Sequence, residues 1–426
     1  MLAMLAFTAC SSNTDEAVNA PQFWHVTLTA SMDAGTRALS EGEGNAIISS
    51  FAENDEVVVV DADGTTIVGT LKAQTAGTST TLTGDLNASS LDVDEIVTLR
   101  YRSEKADYDG QVGTLAGIAE HQDYAEGTLT VKTTSPLEFT SNSVTLNAKQ
   151  SITKFSFTGG SNPVNAETFG IAAVGLVQSI ATNGDQTVGA VTGTLTTPSS
   201  DVYIALRNNT GEKQTYSFTV KDNTGNWYTG TKKANLTNGK NYTATVTLTQ
   251  LPALTSSSSV GDIGVVGGLP AIVISDTKAV ALMNTGALCP EAYGEYLTFA
   301  NRASGLSNGW YVPERAELEA LAVISNTWGS QNGVNGRRFN ITEGKTLFLP
   351  AAGLYDNDPT PATRLSDVST HGYYWSSSSS SDVLALRLCF YKPDNLDSNI
   401  DVIGEAKVNA LTVRPFHALP SPPVTE

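Results

Sequence analysis

Positive charge is what this chain has least of. Its 25 lysines and arginines stand against 43 aspartates and glutamates, a formal net charge of −18 over 426 residues. Such a surface repels phosphate backbones and anionic bilayers, which argues against nucleic acid and against direct electrostatic membrane binding. Charge of either sign is sparse, at 16%. Long apolar runs are missing too: after Cys10 nothing approaches the roughly 18 residues of a spanning helix, so any membrane attachment is through lipid. Three cysteines, Cys10, Cys289 and Cys389, are too few for a disulfide framework, although the last two could pair in an oxidising compartment. The four histidines, His25, His121, His371 and His417, are scattered without zinc spacing. There is no nucleophile elbow and no phosphate loop. We expect no enzyme, no cofactor and no metal.

What is present begins at residues 1–9, an apolar run ending in Phe7-Thr8-Ala9-Cys10 and followed at once by Ser11-Ser12-Asn13-Thr14-Asp15-Glu16. A bacterial lipoprotein signal ends in this way. Small residues at Thr8 and Ala9 admit a peptidase, and Cys10 would become the lipid-carrying first residue of the mature protein. No Lys or Arg precedes the run, and Phe7 stands where Leu is commoner. The compartment is then outside the cytoplasm, with residues 1–22 as signal and acidic tether.

A Thr/Ser/Gly/Asn background with Val, Ile and Tyr interspersed suits many short strands joined by polar turns. In Phe23-Trp24-His25-Val26-Thr27-Leu28-Thr29-Ala30 the even positions form the apolar side of a half-buried strand. Strand signals at 56–61 and 66–71 flank the turn Asp63-Gly64, and 95–102 carries Val97, Leu99 and Tyr101 in phase. A first β-sandwich is expected over 23–133. A second, over 134–250, rests on signals at 154–158 and 201–206 and on two alternations, Tyr216, Phe218, Val220 and Tyr242, Ala244, Val246, Leu248. Residues 251–260 read as a Ser-rich linker. An α+β domain follows over 261–419, then a Pro-rich tail over 420–426. Tyr293, Tyr296, Leu297 and Ala300 predict a helix over 290–303, and Pro313 opens another with Leu318 and Leu321 inward.

Three phrases in the first 250 residues stand in a particular order: Thr36-Arg37-Ala38 after the first strand, Tyr203-Ile204-Ala205-Leu206, and Leu236-Thr237-Asn238-Gly239-Lys240-Asn241-Tyr242. With the lipobox cysteine, they make residues 23–250 resemble the fimbrillin family, the pilus subunits of Bacteroidales-type surface pili. The resemblance implies transthyretin-like sandwiches and a trypsin-like cut after Arg37, so that the mature chain starts at Ala38. That cut would release the strand carrying Trp24, Val26 and Leu28, and a strand from another subunit would refill the groove. Read alone, Arg37 is equally a solvated loop arginine.

The last domain resembles a C-type-lectin-like fold through four phrases: residues 309–318 (Gly309-Trp310-Tyr311-Val312-Pro313 onward), Leu347-Phe348-Leu349-Pro350-Ala351-Ala352-Gly353, Gly372-Tyr373-Tyr374-Trp375-Ser376-Ser377 and Val413-Arg414-Pro415. These are mostly core residues, with Arg414 a structural ion-pair partner. Lectins of this fold hold calcium with carboxylate and amide oxygens. Asp356-Asn357-Asp358 and Lys392-Pro393-Asp394-Asn395 offer such oxygens, without a second cluster beside either, and read as ordinary turns. Candidate ligand contacts are Tyr355, Asp356, Asp358, Tyr373, Tyr374, Asp394 and Asn395, on loops or as stacking aromatics with Trp328 nearby, although core packing is expected for at least one of these aromatics.

Together these readings describe a mainly β lipoprotein precursor, anchored to the outer membrane until it is cut and then assembled into a surface pilus. Its partners are other subunits and a host, bacterial or glycan ligand held by the last domain. A folded domain in place of a C-terminal donor strand suggests the tip. The alternative is a membrane-anchored, glycan-binding surface lipoprotein that keeps its first strand.

Overall fold

The computed structural model describes residues 22–33, 40–41, 47–48, 50–101, 106–181, 184–356, 365–393 and 400–419. Over these residues the chain is mainly β, and the α-helices Leu115–His121 and Arg315–Ala322 are short.

The first unit is an eight-stranded sheet: beside the short edge strand Leu137–Phe139 it holds β1 (Phe23–Asp33), β2 (Glu56–Val60), β3 (Ile67–Ala73), β4 (Ser79–Asn87), β5 (Ile96–Tyr101), β6 (Ala125–Thr134) and β7 (Ser143–Ala148). They hydrogen-bond in the order β6-β7-β1-β4-β3-β2-β5, and β5 also pairs with β6. The sheet therefore closes into a ring where two facing sheets were expected. Closure depends on β6, which pairs with β5 from Ala125 to Thr130 and with β7 at Ala125 and Glu126. Alternate residues fill the ring: Val57 and Val59, Val97 and Leu99, Leu129 and Val131, Val144 and Leu146. The boundary expected at residue 133 is corrected by this pairing. Leu137–Phe139 pairs with β6 and β7 pairs with β1, so the first unit runs to Ala148.

The second unit holds β8 (Ser151–Gly159), β9 (Ala166–Ala172), β10 (Leu176–Ile180), β11 (Gln186–Val188), β12 (Val191–Ser199), β13 (Asp201–Asn208), β14 (Gln214–Asp222), β15 (Trp227–Ala234) and β16 (Asn241–Gln250). Their order is β11-β10-β13-β8-β16-β15-β14-β9-β12. Phe155 and Phe157 meet the edge of Phe218 at 5.1 and 6.0 Å between ring centres. The units interleave. Ile47, Ala106, Tyr108, Ile118 and Tyr124 precede β7 in sequence yet belong to the second core.

The linker expected at 251–260 is docked rather than free. Leu251 N donates to Trp227 O, Leu254 N donates to Val265 O, and the Leu254 side chain is buried. The third unit joins its two ends, since Lys278–Ala281 pairs with Phe416–Ala418. Two three-stranded sheets follow, Asn326–Gln331 with Val334–Thr342 and Lys345–Pro350, and His371–Ser379 with Leu384–Tyr391 and Ile400–Ala406. The expected helix over 290–303 is instead a loop, a short strand Leu297–Thr298 paired with Ala410–Leu411, and one 3-10 turn, Phe299–Asn301. Gly294 takes φ +74° in the loop, and Glu291 is buried as the acceptor of Gln331 Nε2 and Asn332 Nδ2 (2.9 and 2.8 Å). The second expected helix begins two residues later than Pro313, capped by Glu314 with Glu317 in a capping box, and buries Leu318 and Leu321 as expected.

Candidate functional site

β1 is the element on which the sequence argument turns, and it lies in the interior of the ring-closed sheet. From Phe23 to Ser31 it pairs antiparallel with Asn87 to Ser79 of β4. From Thr29 to Asp33 it pairs in parallel with Ser143 to Asn147 of β7. The expected alternation is realised: Val26, Leu28 and Ala30 are buried, Trp24 and Met32 pack partly buried against the same core, and His25, Thr27 and Thr29 are exposed. Leu28 stands opposite Leu82 and Trp24 opposite Leu86, both fully buried. Val26 faces Gly84, where a Cβ would lie 2.3 Å from Thr70 O. The Trp24 indole N–H is buried without an acceptor.

The two halves of β1 are held differently. The parallel ladder to β7 starts only at Thr29, where the amide donates to Asn142 O at 2.8 Å. Beside His25 and Thr27 the strand borders a cleft of about 450 Å³ instead, walled by Lys132, Glu138, Phe139 and Asn142. Lys132 and Glu138 form an exposed ion pair across it (2.9 Å). Behind β6, Glu126 accepts from Arg100 Nε at 3.1 Å, Lys149 Nζ at 3.0 Å and the Tyr124 hydroxyl. Burial acts to raise the Glu126 carboxyl pKa, but the Tyr124, Lys149 and Arg100 donors outweigh it and hold it below the usual range.

β1 is thus held by a main-chain ladder to β4 over Phe23–Ser31, by a shorter one to β7 over Thr29–Asp33, and by apolar packing of its inward side chains. Burying Val26 and Leu28 contributes about 1.5–3 kcal/mol each.

Of the residues singled out from sequence, Trp24, Val26 and Leu28 share this inward face. Cys10, Arg37, Ala38, Asp358, Asp394 and Asn395 lie outside the described residues. Tyr355 is exposed, with its ring edge-on to Tyr296 at 4.9 Å, and Asp356 beside it is exposed. Tyr373 and Tyr374 are not available to a sugar: both are buried, with hydroxyls bonded to Asp367 Oδ2 and Pro350 O. Trp328 is spent against Phe390. Arg414 is fully buried and donates to Ala281 O at 3.1 Å. Cys289 and Cys389 are free thiols in separate clusters. Sequence reasoning missed the contribution of β7, although the alternation of Val144, Leu146 and Ala148 was there to be read.

No protein-family model matches the chain, and no curated protein does. Solved structures resemble it at low identity. One, from Bacteroides ovatus and assigned provisionally to cell adhesion, is 15% identical with a TM-score of 0.32, covering 54% of this chain and 96% of its own. Another, a fimbrial assembly protein from Parabacteroides distasonis, is 11% identical with a TM-score of 0.28, covering 53% and 92%. A third, from Bacteroides thetaiotaomicron and assigned provisionally to polysaccharide binding, is 9% identical with a TM-score of 0.24, covering 47% and 77%.

Proposed function

We propose that the chain is the exported lipoprotein precursor of a pilus subunit, a non-enzymatic structural protein at the cell surface. Cys10 carries the lipid, a cut after Arg37 severs β1 from the rest, and another subunit's strand takes its place. The observation that supports this reading is the position of β1. It is an interior strand that supplies part of the core, yet the chain leads from it to the next strand of its unit, Glu56–Val60, only through residues 34–55, and Arg37 stands in that segment. Once that segment is cut, only non-covalent contacts retain it. The third unit, with its C-type-lectin-like sequence phrases, is the displayed adhesive part, and the subunit sits at the tip.

The test is the N-terminal sequence of the protein assembled on its native cell surface. A start at Ala38 that Arg37→Ala abolishes supports the reading. A blocked, lipidated Cys10 in all of the protein refutes processing and leaves an anchored binder.

A further inference from the structure

The inward residues of β1 are confined to different degrees along the strand. At Ala30 both flanks are paired: Thr80 of β4 stands opposite on one side and Val144 of β7 on the other. All three residues are buried, and Ala30 has no exposed surface. Neither neighbour moves aside freely. Thr80 Oγ1 donates to Thr75 O at 2.8 Å and accepts from Thr75 N at 3.1 Å, so turning its side chain breaks two bonds. Val144 is β-branched, which restricts its χ1. The space between these two strands is therefore sized for a methyl group, and a longer side chain there overpacks the core. Met32, the next inward residue, is again partly exposed.

At Trp24, six residues before Ala30, one flank alone is paired. Leu86 of β4 stands opposite, but the ladder to β7 begins only at Thr29. In its place the cleft of about 450 Å³ runs along His25, Val26, Thr27 and Leu28. Trp24 is half-buried there, and its indole N–H is buried without an acceptor. The tryptophan thus carries an unsatisfied donor that a phenylalanine at the same place would not. Nothing comparable to the Thr80 and Val144 pair closes on it, so this end of the strand accepts a change of size that the Ala30 position refuses.

We propose that the place of β1 selects its replacement by size at one position: a strand laid in the direction of β1 must carry no side chain larger than a methyl group where Ala30 stands, whereas at Trp24 any large apolar residue serves. This rests on the reading that β1 is replaced, and it adds which strands can do so. The partner segment is extended, with inward residues at alternate positions that run from large at the first to valine- or leucine-sized at the next two and to alanine or glycine at the fourth. Ala30 is the specificity-determining position, and Val26 and Leu28 contribute affinity.

The test uses the full-length protein cut once after Arg37, with synthetic peptides of residues 22–33 competing for the place of the severed strand, their uptake read by native mass spectrometry. The parent peptide should enter. Trp24→Phe should enter with an affinity within about threefold of the parent or tighter, and Ala30→Leu should be weaker by about tenfold or more. In the uncut full-length chain, Ala30→Leu should lower the urea midpoint and Trp24→Phe should leave it unchanged or raise it. Equal uptake of the parent and Ala30→Leu peptides, a loss for Trp24→Phe as large as that for Ala30→Leu, or an unchanged urea midpoint in Ala30→Leu would overturn the selection while leaving replacement intact. Failure of the parent peptide itself to enter would overturn replacement, and the selection with it.

Discussion

Leu28→Ala is the most direct probe of the β1 groove. Leu28 is 3% exposed and stands opposite Leu82, itself fully buried. β4, which carries Leu82, is fixed on its other side by its ladder to β3, so the ring has little freedom to collapse onto the space vacated. Truncating a buried leucine at such a site costs about 2–5 kcal/mol. Against a whole-domain stability of about 5–15 kcal/mol this is a large fraction. Thr27→Ala, one residue away and pointing to solvent, should stay within about 0.5 kcal/mol.

The same energy reappears when the chain is cut. In intact protein the substitution lowers the urea midpoint. After cleavage at Arg37 it weakens retention of the severed strand by the same amount, which at 1.4 kcal/mol per decade is about 30-fold or more. Urea unfolding of the intact variants, followed by mass spectrometry of the cleaved ones during incubation, measures both. A loss below about 1 kcal/mol in Leu28→Ala, or an equal loss in Thr27→Ala, would refute the claim that the inward face of β1 holds it in place.

Three other perturbations have defined outcomes. Gly170→Ala would place a Cβ 2.6 Å from Cys289 Cβ, so it should destabilise the contact between the second and third units by about 1–3 kcal/mol, seen as earlier proteolysis at residues 251–260. The Glu126 pKa is held low in the folded chain, so its contribution is present above the unfolded carboxylate range near pH 4.5 and is lost as pH falls through the folded value. The stability gap between the parent and Glu126→Gln, measured by urea unfolding, should therefore be widest near neutrality and shrink below pH 4. Burial raises the thiol pKa of both Cys289 and Cys389, so neither should react with a thiol reagent until denaturant is added. Labelling of native protein would show the burial to be wrong.

Much of the strand pattern was legible because alternation is a local signal. Val26, Leu28 and Ala30, or Val97, Leu99 and Tyr101, sit two residues apart and point into the same core. Ring closure was not legible, since it turns on β6 pairing with both β5 and β7, contacts far apart in sequence. The false helix over 290–303 had the right spacing at Tyr293, Tyr296, Leu297 and Ala300, but Gly294 inside it was the warning. Tyr373 and Tyr374 were offered as stacking aromatics, with core packing expected for at least one of them; both are buried. Their strand is covered on both sides, with Tyr373 in one cluster and Tyr374 in another, and an unbroken run such as Gly372-Tyr373-Tyr374-Trp375 fits a doubly buried strand.

The first two units share a device that alternation could not reveal. In each, the first strand lies in parallel beside the last: β1 beside β7, and β8 beside β16. A first strand placed this way is interior, so its loss opens a groove with two hydrogen-bonding edges instead of trimming one edge of a sheet. The device is usable only where the chain allows the strand to leave. β8 follows β7 after residues 149 and 150 and is tied into the chain at both ends. β1 leads to the next strand of its unit through residues 34–55, and a single cut there would leave only non-covalent contacts to the strands it pairs with. Two units with the same strand adjacency would therefore differ in what a single cut beside the first strand can release, and the difference lies in connectivity rather than in packing.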